Sequence, residues 1–205
     1  MIEMEVIAVQ PEPNSNHPLV WLKDKAQRVF LPIAIGNFEA TAIFMELYNE
    51  PPPRPITYDL LRAILEGFDV HVDQIVITAL KDDTFFAEVR LSCSGRFVNI
   101  DSRPSDAIAL AIRVGAPIFV SDDVIREAGL PVEAPPENFA TVQKLDQGKT
   151  LSEYVETIKS AEEPIEQRVI DLKAQLQEAV AQEEYEEAAR LRDEIGRIEH
   201  DIQNR

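Results

Sequence analysis

Apolar and polar residues alternate along several short stretches of the first 130 residues, which is the spacing of half-buried β-strands. The alternation is clearest at residues 1–9 and 84–91. Residues 72–80 carry apolar residues on both faces, which predicts a central strand. Further short strands are expected at residues 19–22, 29–35, 97–100 and 117–120. Because polar turns join several of these strands as hairpins, the pattern predicts a largely antiparallel sheet.

Helical periodicity separates the strands. Helices are expected at residues 38–48, from Thr57 to about Gly67, and at residues 124–129. In the second helix the apolar residues recur on one face, which we expect to lie in the core: Leu60, Leu61, Ile64, Leu65 and Phe68. The sequence therefore predicts an α+β fold, with an antiparallel-rich mixed sheet and interspersed helices.

Residues 101–123, DSRPSDAIALAIRVGAPIFVSDD, mark the most informative junction. A strand ends here, Ser102 or Arg103 can cap a helix, and Pro104 suits its first position. Asp106 then lies in the first turn, where the helix dipole stabilises a carboxylate. From residue 107 to residue 114 only Arg113 is charged, so this helix should be buried nearly all round. Strand ends and helix starts commonly carry functional side chains.

The last third of the chain has a different character. Residues 131–163 are expected to be a linker with a short helix, because prolines interrupt their first half. Apolar residues then repeat at heptad spacing in two series, one before and one after residues 182–184. Two short heptad helices joined by a turn predict a C-terminal antiparallel α-helical hairpin. We therefore expect three parts, residues 1–130, 131–163 and 164–205.

Composition limits the kinds of partner. The chain has 205 residues, one cysteine and a formal net charge of −17, so a cysteine-rich zinc site and a disulfide framework are excluded. Both the first 130 residues and the remainder are acidic, which disfavours a surface that binds phosphates by bulk charge. No apolar run could span a membrane, and the N-terminus lacks a basic secretory signal. We expect a cytoplasmic protein without a membrane partner.

Four ordered stretches of the first part resemble the bifunctional nuclease family, a bacterial and plant group associated with DNase and RNase activity. They are LPIAIGNFEATAI, RPITYDLL, DDTFFAEVRL and DSRPSDAIALAIRVGAPIFVSDDV, within residues 31–124. The resemblance implies DNA or RNA as substrate. Tyr58 is a departure, because the family leads us to expect histidine before the aspartate of RPITYDLL.

The C-terminal part resembles a second family. Residues 172–199, and above all YEEAARLRDEI at residues 185–195, are similar to the UVR motif of the UvrB and UvrC excision-repair proteins. In such proteins the motif is a helical hairpin for protein–protein contact. The resemblance implies that residues 164–205 bind a protein partner or a second copy, and we expect a homo-oligomer.

A metal-dependent phosphodiesterase needs carboxylates that converge on divalent ions, with a basic residue nearby for the phosphate. The matching stretches supply the candidates. Those proposed for catalysis are Glu88, Asp101, Arg103, Asp106 and Asp59. Those proposed as metal ligands are Glu39, Glu88, Asp101 and Asp106. An all-oxygen site favours Mg²⁺ or Mn²⁺. The function predicted is a metal-dependent nuclease of low sequence selectivity, directed by the hairpin.

Simpler roles compete for the same residues. Asp59, Asp106 and Glu39 lie at helix starts and can stabilise the helix dipole. Glu88 can form an ion pair along the sheet, and Arg103 can be fixed by Asp101 or Asp106 rather than bind phosphate. The alternative function is a non-catalytic interaction protein that uses the hairpin for partner binding or self-association. Phosphate-binding GK[ST] loops, GxGxxG and the serine-hydrolase elbow do not occur in the sequence.

Overall fold

The structure is a computed structural model, and it describes residues 1–10, 17–26 and 28–131, together with residues 154, 156, 172–174, 176 and 190–192. The elements of its first 131 residues run in the following order: β1 Ile2–Gln10, β2 Leu19–Asp24, β3 Val29–Ala34, α1 Asn37–Leu47, α2 Thr57–Gly67, β4 His71–Lys81, β5 Thr84–Cys93, β6 Arg96–Ser102, α3 Pro104–Val114, β7 Ile118–Val120, α4 Asp122–Ala128 and β8 Leu130–Pro131.

One mixed sheet carries the fold, with the strand order β6-β5-β4-β7-β1-β2-β3-β8. Every neighbouring pair is antiparallel except β4 and β7, which run parallel. At the centre of β4, Ile75, Val76 and Ile77 are all buried, as their unbroken apolar run predicts. The predicted α+β class with an antiparallel-rich mixed sheet is confirmed.

Helix α3 lies at the centre of the helix layer, where it packs against α1, α2, β4 and β5. Small residues such as Ala107 and Ala111 let these elements approach closely, and both are fully buried. Arg103 is the N-cap residue and Pro104 the first helical residue. Gly115 ends the helix with a φ of 69°, a left-handed conformation that glycine adopts without strain. The buried helix predicted at this junction is therefore present.

Helix α2 differs from its prediction. Four of the apolar residues expected in the core are exposed instead, namely Leu60, Leu61, Ile64 and Phe68. Only Leu65 of that set packs against the core, and no residue of α2 is fully buried. The reason is position, because α2 packs mainly on α3 at the margin of the helix layer. Periodicity identified the apolar face correctly but could not show that the first unit leaves it uncovered.

The chain divides into two compact units, Met1–Ile158 and Lys159–Arg205. Within the first unit the Tyr154 side chain is buried and stacks on Phe44, with ring centroids 4.1 Å apart. Most of the predicted linker lies outside the described residues, so the predicted limits at residues 130 and 164 stay predictions. Most of the predicted hairpin lies outside them as well. In the second unit Leu172 and Leu191 are helical and buried, and both are predicted heptad positions.

A bilayer-spanning helix needs both length and sustained apolar character, and none of the helices among the described residues combines the two.

Candidate functional site

Three helices bring charged or polar side chains to the point where β6 ends and α3 begins. Arg103 is the residue between β6 and α3, with the extended backbone of an N-cap residue (φ −68°, ψ 144°). Asp106 follows in the first turn of α3, and Glu39 lies in the first turn of α1. Because α1 and α3 pack side by side, their first turns meet here. We call Glu39, Tyr58, Arg103 and Asp106 the Arg103 cluster.

The Arg103 guanidinium binds two carboxylates. Its Nε donates to Asp106 Oδ2 at 2.7 Å and its Nη2 to Asp106 Oδ1 at 3.0 Å. The same Nη2 also donates to Glu39 Oε1. The Arg103 side chain is nevertheless 66% exposed, so an anion from solvent can reach it. The hydrogen bonds from Arg103 to Asp106 and Glu39 raise the pKa of the guanidinium, which stays charged at any working pH.

Tyr58, in the first turn of α2, completes the cluster. Its Oη donates to Asp106 Oδ1 at 2.6 Å. Burial, with the hydrogen bond to Asp106 as the next cause, raises the pKa of the Tyr58 phenol, so it remains protonated and a donor. Burial alone would raise the pKa of Asp106, but the hydrogen bonds from Arg103 and Tyr58 outweigh it and leave that pKa below its ordinary value. Asp106 is therefore ionised at neutral pH.

Asp59 lies in a separate network around Arg113. Arg113 Nε donates to Asp59 Oδ1 at 2.9 Å, and its Nη atoms donate to the carbonyl oxygens of Ala109 and Ala42, each at 2.9 Å. The other Asp59 oxygen accepts from the Ile56 N–H at 2.9 Å. The Arg113 side chain is only 1% exposed. This network ties α2 and α1 to α3 and, unlike the Arg103 cluster, keeps its guanidinium out of solvent.

Glu88 and Asp101 point to the opposite face of the sheet from α3. Ala87 and Val89, the neighbours of Glu88 in β5, belong to the core that contains α3. Side chains alternate along a strand, so Glu88 points away from α3, and its cross-strand partner Asp101 shares its face. Glu88 lies 3.6 Å from Arg90 Nη2 and 3.4 Å from Asn99 Nδ2. The structure therefore separates these two acids from Arg103 and Asp106, against the expectation of one shared cleft.

The arrangement bears directly on the expected metal ligands. Among the described residues no group of three or more histidine, cysteine, aspartate or glutamate side chains is placed to hold a metal ion. The four expected ligands instead form two pairs: Arg103 bridges the carboxylates of Glu39 and Asp106, and Glu88 lies opposite Asp101 across β5 and β6. Glu88 and Asp101 lie on the other face because β5 and β6 pair in that register. The residues as arranged do not fit a divalent ion.

Two residues of these networks were not among the predicted site residues. Tyr58 was noted in the sequence only as a departure from the expected histidine, and that position is the signal that pointed to it. Arg113 was noted only as the single charge in an apolar helix, and a lone arginine at such a position usually has buried partners. The contact between Arg103 and Glu39 joins residues 64 positions apart, and no sequence pattern indicated it.

Comparison with known proteins was made for the whole chain. Residues 20–133 match the family model of the bifunctional nuclease domain, and residues 166–201 match that of the UvrB/uvrC motif. An uncharacterized protein of Mycobacterium tuberculosis is 32% identical over 159 residues, which cover 77% of this chain and 95% of that protein.

Plant relatives carry a functional name. Bifunctional nuclease 1 of Arabidopsis thaliana is 26% identical over 191 residues, which cover 89% of this chain and 56% of the relative. Bifunctional nuclease 1 of Oryza sativa subsp. japonica is 26% identical over 184 residues, with 88% and 54% covered. The chain thus spans little more than half the length of these plant relatives.

Proposed function

The chain belongs to the bifunctional nuclease domain family and carries a C-terminal UvrB/uvrC motif, and on this premise we propose that its first unit hydrolyses phosphodiester bonds of DNA or RNA at the Arg103 cluster. The named plant relatives support the class of reaction. Low sequence selectivity is proposed with it, because the cluster presents a phosphate-binding group and no set of donors and acceptors that would distinguish bases.

The observation that carries the proposal is the exposed guanidinium of Arg103 beside carboxylates from two helices. A planar guanidinium can donate two parallel hydrogen bonds to one phosphate group. A phosphate that reaches Arg103 competes with Glu39 and Asp106 for the same donors. Asp106 is held in a fixed orientation by Tyr58, so Glu39 is the carboxylate that the phosphate displaces more readily.

This exchange assigns a role to each side chain. Arg103 binds the phosphate and stabilises the negative charge that grows on it during attack. Glu39, once released, accepts a proton from the attacking water as the oxygen of that water bonds to phosphorus. The bond from phosphorus to the leaving oxygen then breaks, and that oxygen takes a proton from solvent. Asp106 and Tyr58 position Arg103 and do not exchange protons.

A divalent cation is proposed separately from the phosphate contact. Glu39 and Asp106 supply only two carboxylates, and the guanidinium of Arg103 already neutralises part of their charge. A single ion usually takes six or more oxygen ligands, some from water and some from substrate phosphate. We therefore propose Mg²⁺ or Mn²⁺ only as a requirement to be measured, and we assign the phosphate contact to Arg103.

The test measures cleavage of fluorescent single-stranded DNA and RNA oligonucleotides by the full chain, with Mg²⁺, with Mn²⁺ and with EDTA. Arg103→Ala should lower the rate by roughly 100-fold or more, the usual effect of removing one preorganised donor. Arg126→Ala is the matched control, because Arg126 is an exposed arginine paired with an aspartate three residues away on α4. Intact oligonucleotides under all conditions, or equal rates for both variants, would contradict the proposal.

A second candidate function has its own supporting observation. Both carboxylates of the cluster are already paired with Arg103, as in a structural ion-pair network. The first unit could then be a scaffold, with the UvrB/uvrC motif in residues 164–205 recruiting a protein partner. Loss of a co-purifying partner on deletion of residues 164–205, together with no cleavage by the full chain, is the result that this function predicts. A cytoplasmic location is proposed for either function.

A further inference from the structure

Strand β6 forms one edge of the sheet, and it is exposed on both faces. Phe97 is 80% exposed, while Val98 and Ile100 are each about half exposed. A long edge strand with apolar residues can pair with another strand, and proteins normally protect such an edge with charges, prolines or bulges. The described part of β6 has no proline, and its pairing with β5 is regular from Arg96 to Ser102. Among the described residues this edge is therefore free to pair with a further strand.

The backbone of β6 shows what kind of partner fits. Ser94 and Gly95, the two residues of the β5–β6 turn, have φ values of 49° and 76°, as in a type I′ turn. Such a turn closes on a hydrogen-bonded pair, here Cys93 with Arg96. The alternate residues from Arg96 onward then bond to β5. It follows that Phe97, Asn99 and Asp101 direct their N–H and C=O groups outward, where the described residues provide no strand.

Helix α2 adds an apolar surface beside this edge. Leu60, Ile64 and Phe68 follow one another at four-residue intervals, so they form a stripe along the helix, and Phe68 is 74% exposed. The thiol of Cys93, the last residue of β5, lies 4.0 Å from the Phe68 carbonyl oxygen. Val98 and Ile100 share a sheet face with Leu91 and Val89, which is the face that the helix layer covers. The stripe and the inner face of β6 therefore lie on the same side.

We propose that this surface binds a second copy of the chain, with the two β6 strands paired antiparallel about Asn99. In this register Asn99 lies opposite Asn99 of the second copy, and Phe97 of each copy lies opposite Asp101 of the other. All three outward residues of each strand thus form hydrogen-bonded pairs. On the inner face, Val98 of one copy lies opposite Ile100 of the other, in two symmetric apolar pairs. No direct pair in this register joins two like charges.

The surface is also large enough for a dimer. Six side chains of α2 and of the inner face of β6 contribute to it: Leu60, Leu61, Ile64, Phe68, Val98 and Ile100. Phe97 adds area from the opposite face of β6. Together they expose on the order of 700 Å², close to the roughly 800 Å² that each partner buries in a standard interface. A self-complementary strand and a matching apolar area favour an isologous pair over an unrelated protein. This interface does not require the UvrB/uvrC motif.

The first test is the mass of the full chain in solution, measured by light scattering after gel filtration. The expected mass is twice the chain mass of 23.1 kDa. Asn99→Pro removes the outward N–H and the side-chain contact with Glu88 but leaves the backbone bonds to β5 intact, so the variant should be a folded monomer. Asn99→Ala is the matched control, because it keeps the N–H, and it should remain a dimer. A monomeric parent chain, or a dimer that survives Asn99→Pro, overturns the proposal.

A cross-linking test does not depend on the proline variant. In the proposed register the two Asn99 residues are directly opposite, with Cα atoms about 5.5 Å apart, within disulfide range. In a Cys93→Ser background, Asn99→Cys should form a disulfide-linked dimer under mild oxidation. Glu127→Cys, at an exposed position of α4, is the control and should not. Equal cross-linking at both positions, or none at residue 99, would overturn the proposal. The interface would then lie elsewhere, such as in residues 164–205, or the chain itself would cover the edge.

Discussion

Helix α3 carries two arginines, one at each end, and they make similar contacts in opposite surroundings. Arg103 binds Glu39 and Asp106 at the N-terminal end, while Arg113 binds Asp59 near the C-terminal end and lies 4.0 Å from Glu46. Each arginine thus joins α3 to another helix by ion pairs. The side chain of Arg103 is largely exposed, whereas that of Arg113 is buried.

Burial decides what each network can do. Removing one partner of a buried ion pair leaves the other charge with neither a counter-charge nor full hydration, which destabilises the fold. The Arg113 network is therefore a structural connection. An exposed ion pair contributes little to stability because water and salt screen it. Arg103 can therefore exchange its carboxylate partners for a phosphate at small cost to the fold. The comparison predicts stability effects at Arg113 and activity effects at Arg103.

The largest effect is expected for Arg113→Met, which keeps the length of the side chain and removes its charge. The variant leaves Asp59 and the carbonyl groups of Ala42 and Ala109 without their donor. We expect a loss of about 3–5 kcal/mol in the free energy of unfolding, as for other buried ion pairs that lose one partner. Urea denaturation measures it, with Arg126→Met as control, because Arg126 is an exposed arginine that pairs with Asp123 on α4. A loss below about 1 kcal/mol would mean that Arg113 contributes no more to stability than an exposed ion pair, and the two arginines would not differ as predicted.

Lowering the pH should weaken both networks, and the resulting loss of stability should be smaller than that caused by Arg113→Met. The pKa of Asp59 lies below its ordinary value, because the Ile56 N–H and Arg113 outweigh the effect of burial, and the pKa of Asp106 is lowered by Arg103 and Tyr58. The unfolded chain therefore takes up protons first as the pH falls. Stability should be full above about pH 5 and decline as the pH drops through the folded-state pKa values.

The measurement is the urea midpoint between pH 7 and pH 3. Asp24, which Arg28 contacts in the β2–β3 turn, also has a lowered pKa and contributes a share outside α3. Asp59→Asn should flatten the pH profile while lowering stability at pH 7. If Asp59→Asn leaves the slope between pH 5 and pH 3 unchanged, its carboxylate is not held by Arg113 as the structure indicates.

Tyr58→Phe should have a smaller effect, about 1 kcal/mol, because it removes one hydrogen bond to a carboxylate. Tyr48→Phe is the control, since no partner of the Tyr48 hydroxyl occurs among the described residues. Tyr58→His places the expected family residue at this position, and imidazole is the side chain whose ordinary pKa, about 6.5, lies within the pH range of the assay. Oligonucleotide cleavage by this variant should then vary between pH 5 and pH 8. If the cleavage rate of this variant follows the same pH profile as that of the parent chain, residue 58 does not act in the Arg103 cluster.

The sequence predicted the elements whose environment is local. The apolar centre of β4 and the helix α3, which starts at a proline and ends at a glycine, both appear where the pattern indicated. It could not assign Glu88 and Asp101 to a face, since that depends on how β5 and β6 pair relative to the helices. The partnership of Arg103 with Glu39 depends on the packing of α1 against α3. The exposed stripe of α2 was predicted as core because periodicity shows an apolar face but not what covers it.

The smallest stability effect is expected for Arg103→Ala, and it is the sharpest test of the contrast within α3. Because Arg103 is largely exposed, its removal should cost under about 1 kcal/mol in the free energy of unfolding, and less at high salt. Arg103→Lys should be equally stable, but it lacks the two-pronged donor and should bind a single-stranded oligonucleotide more weakly. Urea denaturation and fluorescence anisotropy at two salt concentrations measure both effects. If Arg103→Ala is as damaging as Arg113→Met, the exposed arginine is a structural connection like the buried one, and the Arg103 cluster loses its claim to substrate.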